Sequence, residues 1–529
     1  MSSELKRGFI RIASNYMQMG GAVVFGLLLV PLILRGMGPQ ALGLIGLLGS
    51  TIGVAHILEE VMRRAMVQEL AEAHHGGDRG RFLEIYNSAL LVALVAALVT
   101  VVLFGLIIVF LPFLLIIDSP ELLAAARWFL VVKAGQMFLM GAGAPTFNMY
   151  MVTERFVPYN LILLVMGAGN PLAAGWTVLQ QDLPVEQAVV AFAIISSTLT
   201  TVVYMAASVA VATQDSRLWP RLSRVTRAGM RQVLSISGWN AVVTTASNLH
   251  LRLDMFIMNW AMGGLIGNAM FDPAFRLTSH ARQPVLGITR GTQAVAARLT
   301  FGASAGPLRD FVLGTTRLHG VVAFPALALL LVLPEPMIEL WISRWTELPA
   351  NFASAVVMLV RILAVGGTLR AVSDGWLNML YGAGQIRRYA PWVLLGGIGN
   401  PIVAALLLWL LPDSSRFTGP AWAYVVTLGL GNMVLAPLLT FPRIGITYHQ
   451  ALGSLMRPLA TTLVSSLVLI VFHQRVVDWT LVKLLQAVVT FSAIYGVLTL
   501  FFVMTPDERA RFRQVLLTRW SGRQPRRNQ

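Results

Sequence analysis

The sequence predicts an all-α polytopic membrane protein of about fourteen transmembrane helices, built as two pseudo-symmetric six-helix lobes plus two C-terminal helices. Three observations carry this expectation. The 529 residues are 56% hydrophobic and only 12% charged, with a mean hydropathy of +0.70, whereas a soluble domain carries about 25% charged residues. Apolar runs of about 20 residues, the length that spans a bilayer, recur from end to end. Polar signatures recur six runs apart.

The runs lie at about 12-34, 42-60, 88-112, 121-146, 158-179, 187-212, 233-260, 267-292, 311-341, 352-381, 390-411, 419-440, 451-472 and 480-504. Their connections sort by charge. Alternate ones hold Lys6, Arg7 and Arg11, then Arg63, Arg64, Arg79 and Arg81, and onward to Arg387 and Arg388, Arg443 and Arg457, and a tail with seven arginines from Arg509 to Arg527. The opposite set holds only Arg35, Arg344, Arg416 and Arg475. Lys and Arg accumulate on the cytoplasmic side, so both termini are expected there and the span count is even. The basic start, Met1 to Arg11, leads into an apolar run without a small-residue cleavage site and reads as a retained helix. Two basic segments, around Leu218, Leu222 and Val225 and around Phe512, Leu516 and Trp520, read as surface helices on anionic headgroups.

Asn148-Met149, Tyr159 and Gly167-x-Gly169-Asn170-Pro171 return at one constant offset as Asn378-Met379, Tyr389 and Gly397-x-Gly399-Asn400-Pro401. Asn15 and Met37-Gly38 likewise return as Asn240 and Met262-Gly263. An even six-span unit repeats with the same orientation, about an axis along the membrane normal. The expected organisation is a first lobe over 1-214, a basic amphipathic linker over 215-231, a second lobe over 232-441, two added spans over 442-504 and a basic tail over 505-529.

Several chemistries are missing from the sequence. No G-x-x-x-x-G-K-[ST] phosphate loop occurs, so ATP hydrolysis is not expected. The glycines at 43, 46 and 49 and from 167 to 175 lie inside apolar runs, where close helix packing accounts for them. The eight His show no metal-ligand spacing and there is no Cys, so neither a metal nor another cofactor is expected.

What remains is polarity inside the membrane. Asn240, Thr244, Asn248 and Arg252 recur every four residues in the seventh run, near Asp254, and Asp272, Arg276 and His280 do so in the eighth. Such spacing sets each group on one helical face. A charge at the bilayer centre costs about 2.5–3.5 kcal/mol or more, so these faces should look onto a wet interior. Lys133, Arg317 and Arg370 join Arg252 and Arg276 as candidate cations of a cleft that would bind phosphate or carboxylate. Asn15, Asn240, Asn248, His280 and Asn378 are its candidate polar lining, and Asp254, Asp272, Asp374 and Glu59 are candidate ion-coupling groups. Asp272 with Arg276, and Arg370 with Asp374, also read as intrahelical ion pairs. Arg282, turned about 200° from Arg276 at 100° per residue, should face a neighbouring helix.

The segment Leu34 to Gly43 (LRGMGPQALG) resembles the L-G-x-x-x-[YF]-G turn of the Wzx-type polysaccharide flippases of the MOP superfamily. Arg63 to Ala71, Leu253-Asp254 through Gly263, Pro336 to Trp341, and Asn378 to Arg388 with Gly382-x-Gly384 are similar to further stretches of that family, in order. This chain departs from it at Leu42, Glu59 and Val61, and around Ala294 to Leu299. The resemblance implies a non-enzymatic transporter of the bacterial inner membrane. Its substrate would be an O-antigen or capsule oligosaccharide unit on a polyprenyl diphosphate, carried to the outer leaflet by alternating access. Partners would be that lipid-linked oligosaccharide, the bilayer and a polysaccharide polymerase or synthase, and not nucleic acid. Two other readings stand beside it: a MATE-type cation-coupled small-molecule exporter, and a membrane glycosyltransferase or synthase accessory protein. The first predicts an acidic or apolar cavity, and the second a large external loop.

Overall fold

The structure, a computed structural model, describes residues 3–55, 57–117, 119–180, 182–235, 238–289, 291–300, 306–344, 348–510 and 513. Every regular element among them is helical. Eleven helical stretches are long and apolar enough to cross a bilayer. The first of these, Ala13–Ala55, is two spans, because Gly38 between them takes φ 80° and ψ 177°, a conformation that suits glycine. Pro39 then opens the second span. The seventh span, Gly238–Ala261, and the eighth, Leu265–Ala281 continued by Gln283–Thr289 and Thr292–Thr300, complete the set of fourteen. Their polar residues and breaks keep them outside the apolar eleven.

Local chemistry sets the other boundaries. Asp78 caps the third span, Arg79–Leu114, accepting from the amides of Gly80 and Arg81. Ser119 caps the fourth, Pro120–Val152, with proline at its first position, as an unpaired helix start favours. The fifth and sixth are Phe156–Leu179 and Val185–Gln214, and the ninth, tenth, eleventh and twelfth are Gly306–Val332, Phe352–Gly382, Ile386–Leu410 and Arg416–Ile444. Thr447 and Gln450 form a capping box at the thirteenth, Tyr448–Arg475, and Thr480 caps the fourteenth, Leu481–Val503.

Packing repeats with the sequence. The first span pairs with the fifth as the seventh does with the eleventh, and the third with the fourth as the ninth does with the tenth. The fourth and fifth each pair with the sixth, as the tenth and eleventh do with the twelfth. These are two pseudo-symmetric lobes. They meet where the first two spans pack on the seventh and eighth. The thirteenth span lies against the ninth, and the fourteenth against the thirteenth.

The segment between the lobes departs from expectation. Instead of a continuous amphipathic helix it makes two single 3-10 turns, Ser216–Leu218 and Leu222–Arg224, before the short helix Arg227–Ser235. Asp215 caps the first turn and accepts from the Arg217 guanidinium through both oxygens. Pro220, which has no amide hydrogen, then interrupts any helix. The segment is fastened to the first lobe: Tyr86 donates to the Leu218 carbonyl at 2.9 Å, Asn87 accepts from the Arg221 amide at 2.6 Å, and Gln232 donates to Glu69. Burial pushes the Glu69 carboxyl above its ordinary range. The expected surface helix of the tail, around Phe512, Leu516 and Trp520, lies outside the described residues.

Candidate functional site at the seam between the lobes

Two polar stripes of the second lobe face the first lobe, and glycines receive them. A methyl group at Gly53 would come within 2.4 Å of Arg252 Nε, at Gly46 within 3.0 Å of Asp272 Cβ, and at Gly26 within 2.2 Å of His280 Nε2. At Gly43 it would lie 2.1 Å from the Leu265 carbonyl oxygen. Spans one and two therefore need glycine for the eighth span to approach, and the charged side chains lie in the furrow this creates. Arg276 Nε donates to Asp272 Oδ2 at 2.5 Å. Asp272 thus pairs with Arg276 within the eighth span, and Arg252 of the seventh stands at Gly53 of the second. Asn248 bonds the Thr244 carbonyl of its own helix at 3.0 Å, and Asn240 is half-buried at the start of the seventh span.

A second polar cluster fills the interior of the second lobe. Asn400 Nδ2 donates to Asp254 Oδ1 at 2.6 Å, and Thr427 Oγ1 lies 3.2 Å from Asn400 Oδ1. Asp254 is thus turned towards the eleventh and twelfth spans, away from the Arg252 stripe. Arg370 is buried beside Tyr424. Its Nε stands 3.7 Å from Asp374 Oδ2, which Arg282 Nη1 approaches to 3.5 Å from the eighth span. Asn378 donates to the Asp374 carbonyl one turn back at 2.7 Å. Arg282 does face a neighbouring helix. Its pairing with Asp374, and the contacts of Asn400 and Tyr424, are not among the sequence expectations; only the exact repeat Gly-Asn-Pro around Asn400 pointed there.

Two cations expected in the cleft stand elsewhere. Lys133 Nζ bonds Gln136 Oε1 at 3.0 Å and Ser196 Oγ at 3.3 Å, inside the first lobe between the fourth and sixth spans. Arg317 bonds Glu508 of the C-terminal segment. In both cases the sequence showed a charge inside a span but did not encode the neighbour it faces. Asn15 Oδ1 accepts from Asn160 Nδ2 at 2.6 Å, which ties the first span to the fifth. Arg290 and the side chain of Glu59 lie outside what the structure describes.

At one end of the seam the lobes are clasped. The fully buried Asn259 of the seventh span donates to the Ile116 carbonyl at 2.9 Å and accepts from the Ile116 amide at 2.7 Å. Trp260 Nε1 donates to the Leu114 carbonyl at 2.9 Å. The third span ends here, leaving carbonyls without helical partners, and two residues of the opposite lobe satisfy them. A further bond joins the lobes where Trp341 Nε1 donates to the Leu27 carbonyl of the first span at 2.6 Å.

No protein-family model matches this sequence, and no curated protein matches it. Solved structures do. The chain is similar to the lipid II flippase MurJ in an inward closed conformation, with a TM-score of 0.69 and 10% identity over 95% of this chain and 99% of that one. It is similar to a multidrug resistance MATE family transporter of the MOP superfamily in its inward-facing conformation, with a TM-score of 0.66 and 15% identity over 80% and 94%. A MOP superfamily transporter from Pyrococcus furiosus Vc1 (DSM3638), described as having a binding pocket of reverse polarity that suggests a different function, gives 0.61 and 14% over 82% and 95%. This chain has the fold of these transporters. It is a multi-pass membrane protein with the architecture of MOP superfamily flippases and exporters.

Proposed function

We propose that this protein is a flippase of the Wzx type, carrying polyprenyl-diphosphate-linked oligosaccharide units from the cytoplasmic to the outer leaflet of a bacterial inner membrane. The observation that carries the reading is the placement of Arg252 and Arg276 on the seam between two lobes, against glycine-lined spans. Guanidinium groups grip diphosphate oxygens through paired hydrogen bonds, while the seam itself gives a lipid tail a way to stay in the bilayer. A MATE-type exporter of cationic compounds calls for the opposite polarity. The likeness in fold to a lipid II flippase supports a lipid-linked cargo.

Transport proceeds by alternating access, the lobes rocking about the seam. The arginine-poor connections set the clasped end outside, so the state described here is closed to the exterior and both termini are cytoplasmic. With no phosphate loop in the sequence, the driving force is an ion gradient, the membrane potential or removal of the product. Asp254, held by the neutral Asn400 deep in the second lobe, is the candidate for cation coupling, ahead of Asp272 and Asp374, which each face an arginine. Polymerase or synthase machinery would consume the product on the outer face.

The test is reconstitution of the purified chain in liposomes with a fluorescent polyprenyl-diphosphate sugar in one leaflet and a cationic dye as a second cargo. Movement of the lipid-linked sugar and not the dye is expected. Movement of the dye alone would establish the exporter reading.

A further inference from the structure

Away from the seam, the ninth, tenth and twelfth spans enclose a groove of about 720 Å³, within the usual range for a small-molecule site. Its floor is a stripe of the tenth span, Ser354, Met358 and Arg361, at helical spacing. Glu335 and Glu339, on the helical extension of the ninth span, form one wall and Trp422 of the twelfth the other. The groove faces lipid. Trp341 lies two residues beyond Glu339, hence on the opposite side of its helix, and that side reaches Leu27 of the first lobe. Trp422 heads an exposed apolar stripe with Val426 and Leu430.

Apart from Ser343 and Ser354, the lining is apolar except for three charges. Arg361 Nη2 pairs with Glu335 Oε1 at 2.6 Å and Nε donates to the Leu331 carbonyl at 3.1 Å. Glu335 Oε2 is buried with no hydrogen-bond partner. Arg344 approaches Glu339 only to 3.9 Å, its Nη2 being bonded to the Trp479 carbonyl at 2.7 Å. The lining's own charged groups sum to one negative charge, which Arg344 offsets only from 3.9 Å, and they leave an orphaned carboxylate oxygen. Arg361 is nine residues into its helix, roughly 14 Å along it at 1.5 Å per residue. Charged groups that face hydrocarbon are costly, and a lipid headgroup is the polar partner that the lipid phase itself brings.

We propose that this groove binds a phospholipid with a primary-amine headgroup, of the ethanolamine type. The ammonium donates to Glu339 and, once the Glu335 side chain turns its orphaned Oε2 into the groove, to that oxygen, the phosphate lies beside the Arg361 guanidinium, and an acyl chain runs along Val357, Met358 and Trp422. A quaternary ammonium has no N–H to give the orphaned oxygen, and a purely anionic headgroup meets the surplus negative charge. This site is independent of the cargo at the seam. The experiment is native mass spectrometry of the full chain taken from nanodiscs of equal phosphatidylethanolamine, phosphatidylcholine and phosphatidylglycerol. Wild type should retain the ethanolamine lipid at least fivefold over the other two, and Glu335→Gln with Glu339→Gln should abolish that preference. Ser354→Trp, which fills the floor and leaves the charges in place, should do the same. Equal retention of the three lipids, preference for the glycerol lipid, or ethanolamine preference surviving both variants would overturn the proposal.

Discussion

Replacing Asn259 by Leu should open the clasped end of the molecule. The side chain makes two hydrogen bonds to one residue, Ile116, across the seam, and it is wholly buried. Leucine removes both and leaves the Ile116 amide and carbonyl unpaired, at about 1–3 kcal/mol each. A loss of about 2 kcal/mol, the lower bound, shifts the ratio of open to clasped states about 25-fold at 1.4 kcal/mol per factor of ten. Wild-type sequence has no cysteine, so spin labels can be placed directly at Phe113→Cys and Trp409→Cys, both highly exposed and on opposite lobes at that end. Double electron–electron resonance should show one distance population in the wild-type background and a second, longer one with Asn259→Leu. A distance distribution unchanged by Asn259→Leu would refute the idea that these bonds hold the lobes together.

Other consequences are more local. Gly43→Ala places a methyl against the backbone of Leu265, and overpacking of this kind costs about 1–3 kcal/mol, so the thermal unfolding midpoint in detergent should fall. Glu508→Ala should speed proteolysis of the C-terminal segment by freeing it from Arg317, with little change in the unfolding midpoint because a half-exposed ion pair contributes no more than about 1 kcal/mol. Glu69 should make stability pH-dependent. Its folded pKa is raised by burial, so its favourable contribution is present at acid pH and is lost as pH rises through that raised value. Glu69→Gln, which keeps an acceptor for Gln232, should therefore stabilise the protein at pH 7 and flatten this dependence.

The fourteen spans were legible because hydrocarbon thickness imposes a length that apolar runs must match. The lobe repeat was legible because Asn-Met, Tyr and Gly-Asn-Pro recur at one spacing. The polar stripes of the seventh and eighth spans were legible for the same geometric reason, since a period of four fixes a face. What a face looks at was not. Lys133 and Arg317 show this, one turned into the first lobe and the other towards Glu508, some two hundred residues downstream. Helical spacing orients a side chain relative to its own axis and says nothing of the neighbour. Asn259 left no signal at all, because its partner is a backbone end and carries no side-chain signature. The linker misled for another reason: its charge pattern is helical, but Asp215 captures Arg217 and Pro220 removes a donor, so turns win locally.

The central claim, that the seam arginines hold the cargo, is tested most directly by flipping rates in proteoliposomes for wild type, Arg252→Ala, Arg276→Ala and Arg317→Ala. Hydrogen bonds to charged groups contribute about 1.5–3 kcal/mol, so each seam variant should lose about tenfold to a hundredfold in apparent affinity for the polyprenyl-diphosphate sugar. Arg317→Ala, remote from the seam, should transport like wild type. Equal affinity in Arg252→Ala, Arg276→Ala and wild type would contradict the account.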